Sequence, residues 1–154
     1  MDFKLKDKRV IVTGGSRGIG LSIAREFAKE GAAVSICARG QESLGKARSL
    51  LEKSGGKVHV ATCDVSDPPS LQEYIEDAVA ALSGLNILVN NPSGFGRTDD
   101  EAGWQAGLDI DLMALVRGSW AAVPHIEKAG GGALIHTSSI SGLTSSLRTP
   151  PYGA

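Results

Sequence analysis

The stretch Val10-Ile11-Val12-Thr13-Gly14-Gly15-Ser16-Arg17-Gly18-Ile19-Gly20 constrains the fold more than any other. A short, continuously apolar β-branched run marks a strand buried on both faces. It passes with no linker into glycines and then into a helical repeat. Ile19, Ile23, Ala24, Phe27 and Ala28 share one face of that repeat, and Gly31 is its stop. Glycine allows a tight turn, close approach of backbone to a pyrophosphate, and tight helix–strand packing. The helix start offers free N–H groups and a positive dipole end. Gly14, Gly15, Ser16, Arg17, Gly18, Ile19 and Gly20 are therefore candidate dinucleotide-binding residues.

The same alternation continues down the chain. Strands are expected at Arg9–Val12, Val34–Ala38, Val58–Cys63, Leu85–Val89 and Ala133–Thr137. The last is read as a buried strand running into a loop. Between the strands lie helices at Ile19–Lys29, Gln41–Lys53 and the segment opened by Pro68-Pro69, then a long helix over Glu101–Lys128 that Pro124 is expected to kink or break. Strands alternating with helices of this length give βαβ units and a parallel sheet with helices on both faces, an α/β fold. The 154 residues suffice for a single domain, 1–154, with a sizeable core. Repeats and interdomain linkers are absent from the sequence.

The glycine spacing is Gly-x3-Gly-x-Gly, and here the chain resembles the short-chain dehydrogenase/reductase family, with 3-oxoacyl carrier protein reductases among its members. Further landmarks recur in order: Asp64-Val65 after the third strand, Asn90-Asn91 after the fourth, Ser139 after the fifth, then Tyr152. The resemblance implies a Rossmann-type, doubly wound parallel sheet in a three-layer α/β/α sandwich. It implies hydride transfer between NAD(H) or NADP(H) and a small carbonyl/alcohol substrate. It also implies that 1–154 is the N-terminal part of a longer domain whose last strands are missing from this chain.

An acid about twenty residues past the glycines would hold the ribose 2′-OH of NAD, and an arginine would accommodate the 2′-phosphate of NADP. The second strand ends Ile36-Cys37-Ala38-Arg39, and Arg17 lies inside the glycine turn. A guanidinium suits phosphate better than an ammonium does. NADP(H) is the expected cofactor, with NAD(H) possible. In the family, the acid matched by Asp64 meets the adenine amino group, and Val65 packs on the ring. Read from its sequence context alone, Asp64 serves equally as a helix cap. Asn90 and Asn91 resemble the Asn-Asn-Ala-Gly motif, altered here to Asn90-Asn91-Pro92-Ser93-Gly94, so the turn under the cofactor should differ in shape.

Ser139 stands thirteen residues before Tyr152, the family spacing of catalytic serine and tyrosine. Reducing a ketone needs a proton for the developing alkoxide, which a tyrosine hydroxyl supplies while a serine hydroxyl holds the carbonyl oxygen. The family lysine four residues after the tyrosine would fall at position 156, past Ala154. The chain is therefore expected to be a piece of a longer enzyme and inactive by itself. Asp111 occupies the place of the family asparagine in the proton relay. Trp104, Leu108, Asp111 and Leu115 are expected on one helical face, an apolar stripe with one acid in it. A non-catalytic dinucleotide-binding module is the alternative these departures leave open.

A net charge of −1 gives no bulk pull toward nucleic acid or an anionic membrane. No apolar run has the length to span a bilayer, and the start of the chain carries no secretory pattern, so the expected location is cytoplasmic. Cys37 and Cys63 are expected as buried thiols, not a disulfide. His59, His125 and His136 lack metal-ligand spacing, and no metal is expected. The small and apolar residues around Met113–Val123 suggest a homo-oligomer of the complete protein.

Overall fold

In the computed structural model, which describes residues 3–144 and 148–154, five strands form one sheet. They are β1 (Arg9–Thr13), β2 (Ala33–Ala38), β3 (Val58–Thr62), β4 (Ile87–Asn90) and β5 (Ala133–His136). The order is β3-β2-β1-β4-β5, and every pairing is parallel. The helices are α1 (Gly18–Lys29), α2 (Gln41–Leu51), α3 (Pro68–Leu82), α4 (Glu101–Ala106), α5 (Ala114–Lys128) and α6 (Pro150–Gly153). This is the expected Rossmann-type sheet. The chain winds outward from β1 to β3, then crosses back to place β4 on the other side of β1, which makes the β1/β4 junction the switch point.

Two apolar layers sandwich the sheet. Val10, Val12, Val34 and Ile36 pack against Ala24 and Ala28 of α1 and Leu44, Ala47 and Leu51 of α2. Ile11 and Leu88, on the opposite face, meet Leu71, Ile75 and Ala78 of α3 and Ala114, Ala121 and Ala122 of α5. Alternate strand residues thus feed opposite layers, which is why the strands read as unbroken apolar runs. The polar groups inside the second layer satisfy one another. Ser35 Oγ lies 2.9 Å from His59 Nδ1 and 2.8 Å from Tyr74 OH. At the amino ends of the strands, Arg9 Nε donates to Asn86 Oδ1 at 3.0 Å and Arg9 Nη1 to the Ser83 carbonyl at 2.8 Å, tying β1 to the segment before β4.

Three expectations need correction. First, the long helix is not uniformly α-helical. α4 passes into a π-helical segment, Gly107–Met113, before α5 begins. Its buried face is the small-residue row Gly103, Gly107, Ala114 and Gly118, whereas Trp104 and Leu108 are exposed. Small side chains let the helix approach other backbone, as at Gly107, whose absent Cβ would lie 3.2 Å from the Pro151 carbonyl oxygen; at Gly118 the absent Cβ would lie 3.0 Å from Asn90 Oδ1. Second, α5 runs through Pro124 without a break. The helical bond lost there belongs to the carbonyl of Trp120, a residue on the exposed face where water can serve it. Third, β5 is exposed along its whole length and, among the described residues, pairs only with β4. The cap of α3 is Asp67, whose Oδ2 accepts from Ser70 N–H at 3.1 Å; Asp64 does not cap it.

Candidate active site

All five strands point their carboxyl ends the same way, so the loops that follow them converge on one cleft of about 710 Å³. Gly14, Ser16, Arg17, Gly18 and Ile19 form its floor, Arg39 and Asp64-Val65 one end, and Ser139 and Tyr152 the other. Residues read separately along 139 positions of sequence are thus brought to one place.

The floor presents backbone N–H groups to the cleft. Gly14 and Gly18 hold left-handed φ angles of 66° and 55°, which glycine adopts without strain. The first backbone bond after the turn is Leu21 N–H to the Arg17 carbonyl, so the preceding helix-start N–H groups have no helical acceptor. A Cβ on Gly18 would meet no atom within 4 Å, and Gly18 lines the cleft. Gly15 and Gly20 are not part of the lining. Gly15 lies so close to β2 that a Cβ there would sit 2.6 Å from Ile36 Cγ2. Gly20 abuts the turn itself, with Gly14 O and Asn91 Nδ2 where its Cβ would be. These two glycines shape the cradle from beneath.

At one end, the side chain of Asp64 accepts from the Ser66 hydroxyl at 2.7 Å and from Ser66 N–H at 3.0 Å. Those bonds, with the nearby Arg39 guanidinium, hold its carboxyl below the usual carboxylate range. Arg17 and Arg39 are both exposed to the cleft and form no ion pair among the described residues. Cys37 and Cys63, both free and buried, also line this end. Cys63 Sγ donates to the Ser70 carbonyl at 3.6 Å, and burial pushes the Cys37 thiol up.

The structure does not bring the side chain of Asn90 to the cleft. It is buried toward α5, with Nδ2 3.2 Å from His136 Nδ1. Asn91 is the residue at the site, and it joins three segments. Its Nδ2 donates to the Gly14 carbonyl at 3.3 Å, its N–H to Thr13 Oγ1 at 3.4 Å, and its Oδ1 accepts from the Thr137 hydroxyl at 3.0 Å. The Asn-Asn pair was visible in the sequence; which member reached the cleft depended on where β4 stopped.

At the other end, Ser139 Oγ accepts from Ser141 N–H at 3.2 Å, and Ser138 lines the cleft beside it. Asp111 sits in the π-helical segment and is not in the lining. Its Oδ1 accepts from Gly94 N–H at 2.9 Å, and its Oδ2 is buried with no partner among the described residues. Among the described residues no group of His, Cys, Asp and Glu has the arrangement of a metal centre, and no helix is long and apolar enough to cross a membrane.

The fold that carries this cleft is shared with proteins of known sequence and structure. The chain is 35% identical to the 3-oxoacyl-[acyl-carrier-protein] reductase of Chlamydia muridarum over 100% of its own length and 64% of that protein's. The crystal structure of L-sorbose reductase from Gluconobacter frateurii, complexed with NADPH and L-sorbose, superposes with a TM-score of 0.94 at 35% identity, covering 99% of this chain and 60% of that one. A 7α-hydroxysteroid dehydrogenase complexed with NADH and 7-oxo glycochenodeoxycholic acid superposes at 0.92 with 26% identity, over 97% of this chain and 60% of the other. This chain therefore spans about three fifths of the length of such relatives. The sequence profile described as short chain dehydrogenase matches residues 8–154, and the chain belongs to that family.

Proposed function

We propose that this chain is the cofactor-binding part of an NADP(H)-dependent oxidoreductase acting on a small carbonyl/alcohol pair. The observation that carries the reading is that one cleft holds a phosphate cradle, two unpaired arginines and a serine–tyrosine pair together. The solved relatives carry NADPH in one case and NADH in another, so relatedness alone does not choose between the two. Arg17 and Arg39 favour the 2′-phosphate, and no carboxylate takes the place at the end of β2 where a ribose 2′-OH would be held.

The residues fit the group, and each has a task. The N–H groups of Gly18 and Ile19 would meet the pyrophosphate, Arg17 and Arg39 the 2′-phosphate, and Asp64 with Val65 the adenine. A bound nicotinamide dinucleotide supplies or accepts the hydride. Ser139 donates a hydrogen bond that holds the substrate oxygen. Tyr152 gives that oxygen its proton in reduction and takes it back in oxidation. A free tyrosine has a pKa of about 10, so turnover near neutrality needs positive charge beside the ring.

We also propose self-association of the whole protein. Trp120, 70% exposed, with Leu112 and Leu108 forms an apolar outer face that a second copy would cover.

The cofactor assignment is tested by titrating NADPH and NADH against the purified protein, following nicotinamide fluorescence. NADPH should bind at least about tenfold more tightly, a difference of ~1.4 kcal/mol. Arg39→Asp should reverse the preference. Equal affinity for the two removes the NADP assignment, and binding of neither removes the dinucleotide reading.

A further inference from the structure

The loop after β4 presses both of its glycines against α4. A Cβ at Gly94 would lie 2.5 Å from the Ala106 carbonyl oxygen. One at Gly96 would lie 2.5 Å from the Gly103 carbonyl oxygen and 2.9 Å from Pro151 Cβ. Neither seat admits a side chain. The loop is pinned further by the Gly94 N–H donated to Asp111 Oδ1. Phe95, between the two glycines, is held at φ 45°, a left-handed conformation that bulky residues avoid. Strain of this kind survives only where the surroundings impose it, and it collects at functional sites.

Here it directs one ring. The Phe95 ring lies 4.7 Å from the ring of Tyr152, tilted by 60°, within the geometry of a favourable aromatic pair. The Arg97 guanidinium covers the Phe95 ring, 4.7 Å from its centroid. Tyr152 lines the cleft, and Phe95, which does not, touches it from the loop after β4. Pro151, next to the tyrosine, is the residue that Gly96 abuts.

We propose that Phe95 is the positioning residue for Tyr152. Asp111, Gly94 and Gly96 fix the loop, the loop holds Phe95 in its left-handed conformation, and the Phe95 ring sets the plane in which the tyrosine hydroxyl meets the cleft. The kinetic consequence rests on the reading of Tyr152 as the proton donor; the structural linkage does not. The linkage also gives Asp111 a task that is separate from any proton relay.

The chain has only two tyrosines, Tyr74 and Tyr152, so ¹³C-tyrosine labelling gives two resolvable sets of ring resonances. Buried Tyr74 serves as the control for the fold. Phe95→Leu should move the Tyr152 resonances and leave those of Tyr74 in place, and Phe95→Trp, which keeps an aromatic ring and adds no tyrosine, should move them less. Asp111→Ala touches neither ring, yet should move the Tyr152 resonances in the same sense, whereas Asp111→Asn keeps an acceptor for Gly94 N–H and should not. In turnover by the whole enzyme, Phe95→Leu should lower kcat by about tenfold to a hundredfold with KM for the dinucleotide unchanged. Tyr152 resonances unmoved by Phe95→Leu overturn the proposal. So does movement with Phe95→Leu but none with Asp111→Ala. If Asp111→Ala unfolds the chain, Tyr74 will report it, and the Phe95 pair still decides. A whole enzyme containing this chain that reduces no carbonyl defeats the oxidoreductase reading while leaving the resonance test intact.

Discussion

Ala in place of Gly20 sets two physical effects against each other, and the structure says which wins. Helix propensity favours alanine by up to ~1 kcal/mol. Against it stands the turn: the new methyl would press into the Gly14 carbonyl and lie 2.5 Å from Asn91 Nδ2. Both obstacles are fixed, one as backbone and the other as a side chain with bonds to make. Forcing a methyl into such a space costs ~1–3 kcal/mol. Displacing Asn91 from the Gly14 carbonyl loses a further ~1 kcal/mol. The net expectation for Gly20→Ala is a loss of ~2 kcal/mol. Gly45→Ala is the control. Gly45 lies on the exposed side of α2, and a Cβ there meets nothing within 4 Å. It should gain ~1 kcal/mol. With a urea slope of ~2 kcal/mol per molar, the unfolding midpoint falls by ~1 M in the first variant and rises by ~0.5 M in the second. Dinucleotide affinity should drop with Gly20→Ala only. A Gly20→Ala protein as stable as wild type, binding the dinucleotide equally well, would falsify the argument that close approach, not chain flexibility, requires glycine at this position.

Asp111→Asn keeps the acceptor for Gly94 N–H and removes a charge whose second oxygen is buried and unpartnered, so it should stabilise by ~1 kcal/mol, whereas Asp111→Ala should destabilise by a similar amount. Equal losses in both urea titrations would mean that the second carboxylate oxygen has a partner. His59 has its pKa lowered from 6.5, chiefly by burial. Below pH 6.5 the unfolded chain therefore binds a proton before the folded one does, and stability should fall as pH falls through that window. His59→Asn should flatten the slope of midpoint against pH, and an unchanged slope assigns it to other groups. Trp120→Glu should lower the mass found by sedimentation equilibrium if the outer face of α5 joins two copies, and an unaltered mass places the contact elsewhere.

The strands and the glycine cradle were legible because each rests on local signals. A β-branched run followed by glycines can serve few purposes, and parallel strands carry their following loops to one side. What stayed hidden was non-local. Trp104 and Leu108 read as core because large apolar residues usually are, yet the helix buries Gly103, Gly107 and Gly118, whose lack of bulk allows close approach to backbone at the first two and to the Asn90 side chain at the third. The π-helical segment adds a residue to the turn and shifts the face on which Asp111 lies; nothing in Leu108-Asp109-Ile110-Asp111 announces it. Asn90 and Asn91 are equivalent on paper, and only the end of β4 separates a buried residue from one in the cleft. The Phe95–Tyr152 contact spans 57 positions and had no sequence signal, although glycines on both sides of a phenylalanine are a hint of an unusual backbone.

The strand order also bears on how the molecule assembles. β1 pairs with β2, and β2 with β3, across 24 residues each, as Val10 with Val34 and Val34 with Val58. β1 pairs with β4 across 77, as Val10 with Ile87. Closing the longer loop costs ~1 kcal/mol more in chain entropy, so the first three strands and their helices have the kinetic advantage. The cleft has one wall from each side of that late seam, Gly14 to Val65 on one and Asn91 to Tyr152 on the other. A refolding chain should therefore recover much of its helical signal while it is still unable to hold a dinucleotide, and the interval between the two signals is the time β4 takes to find β1.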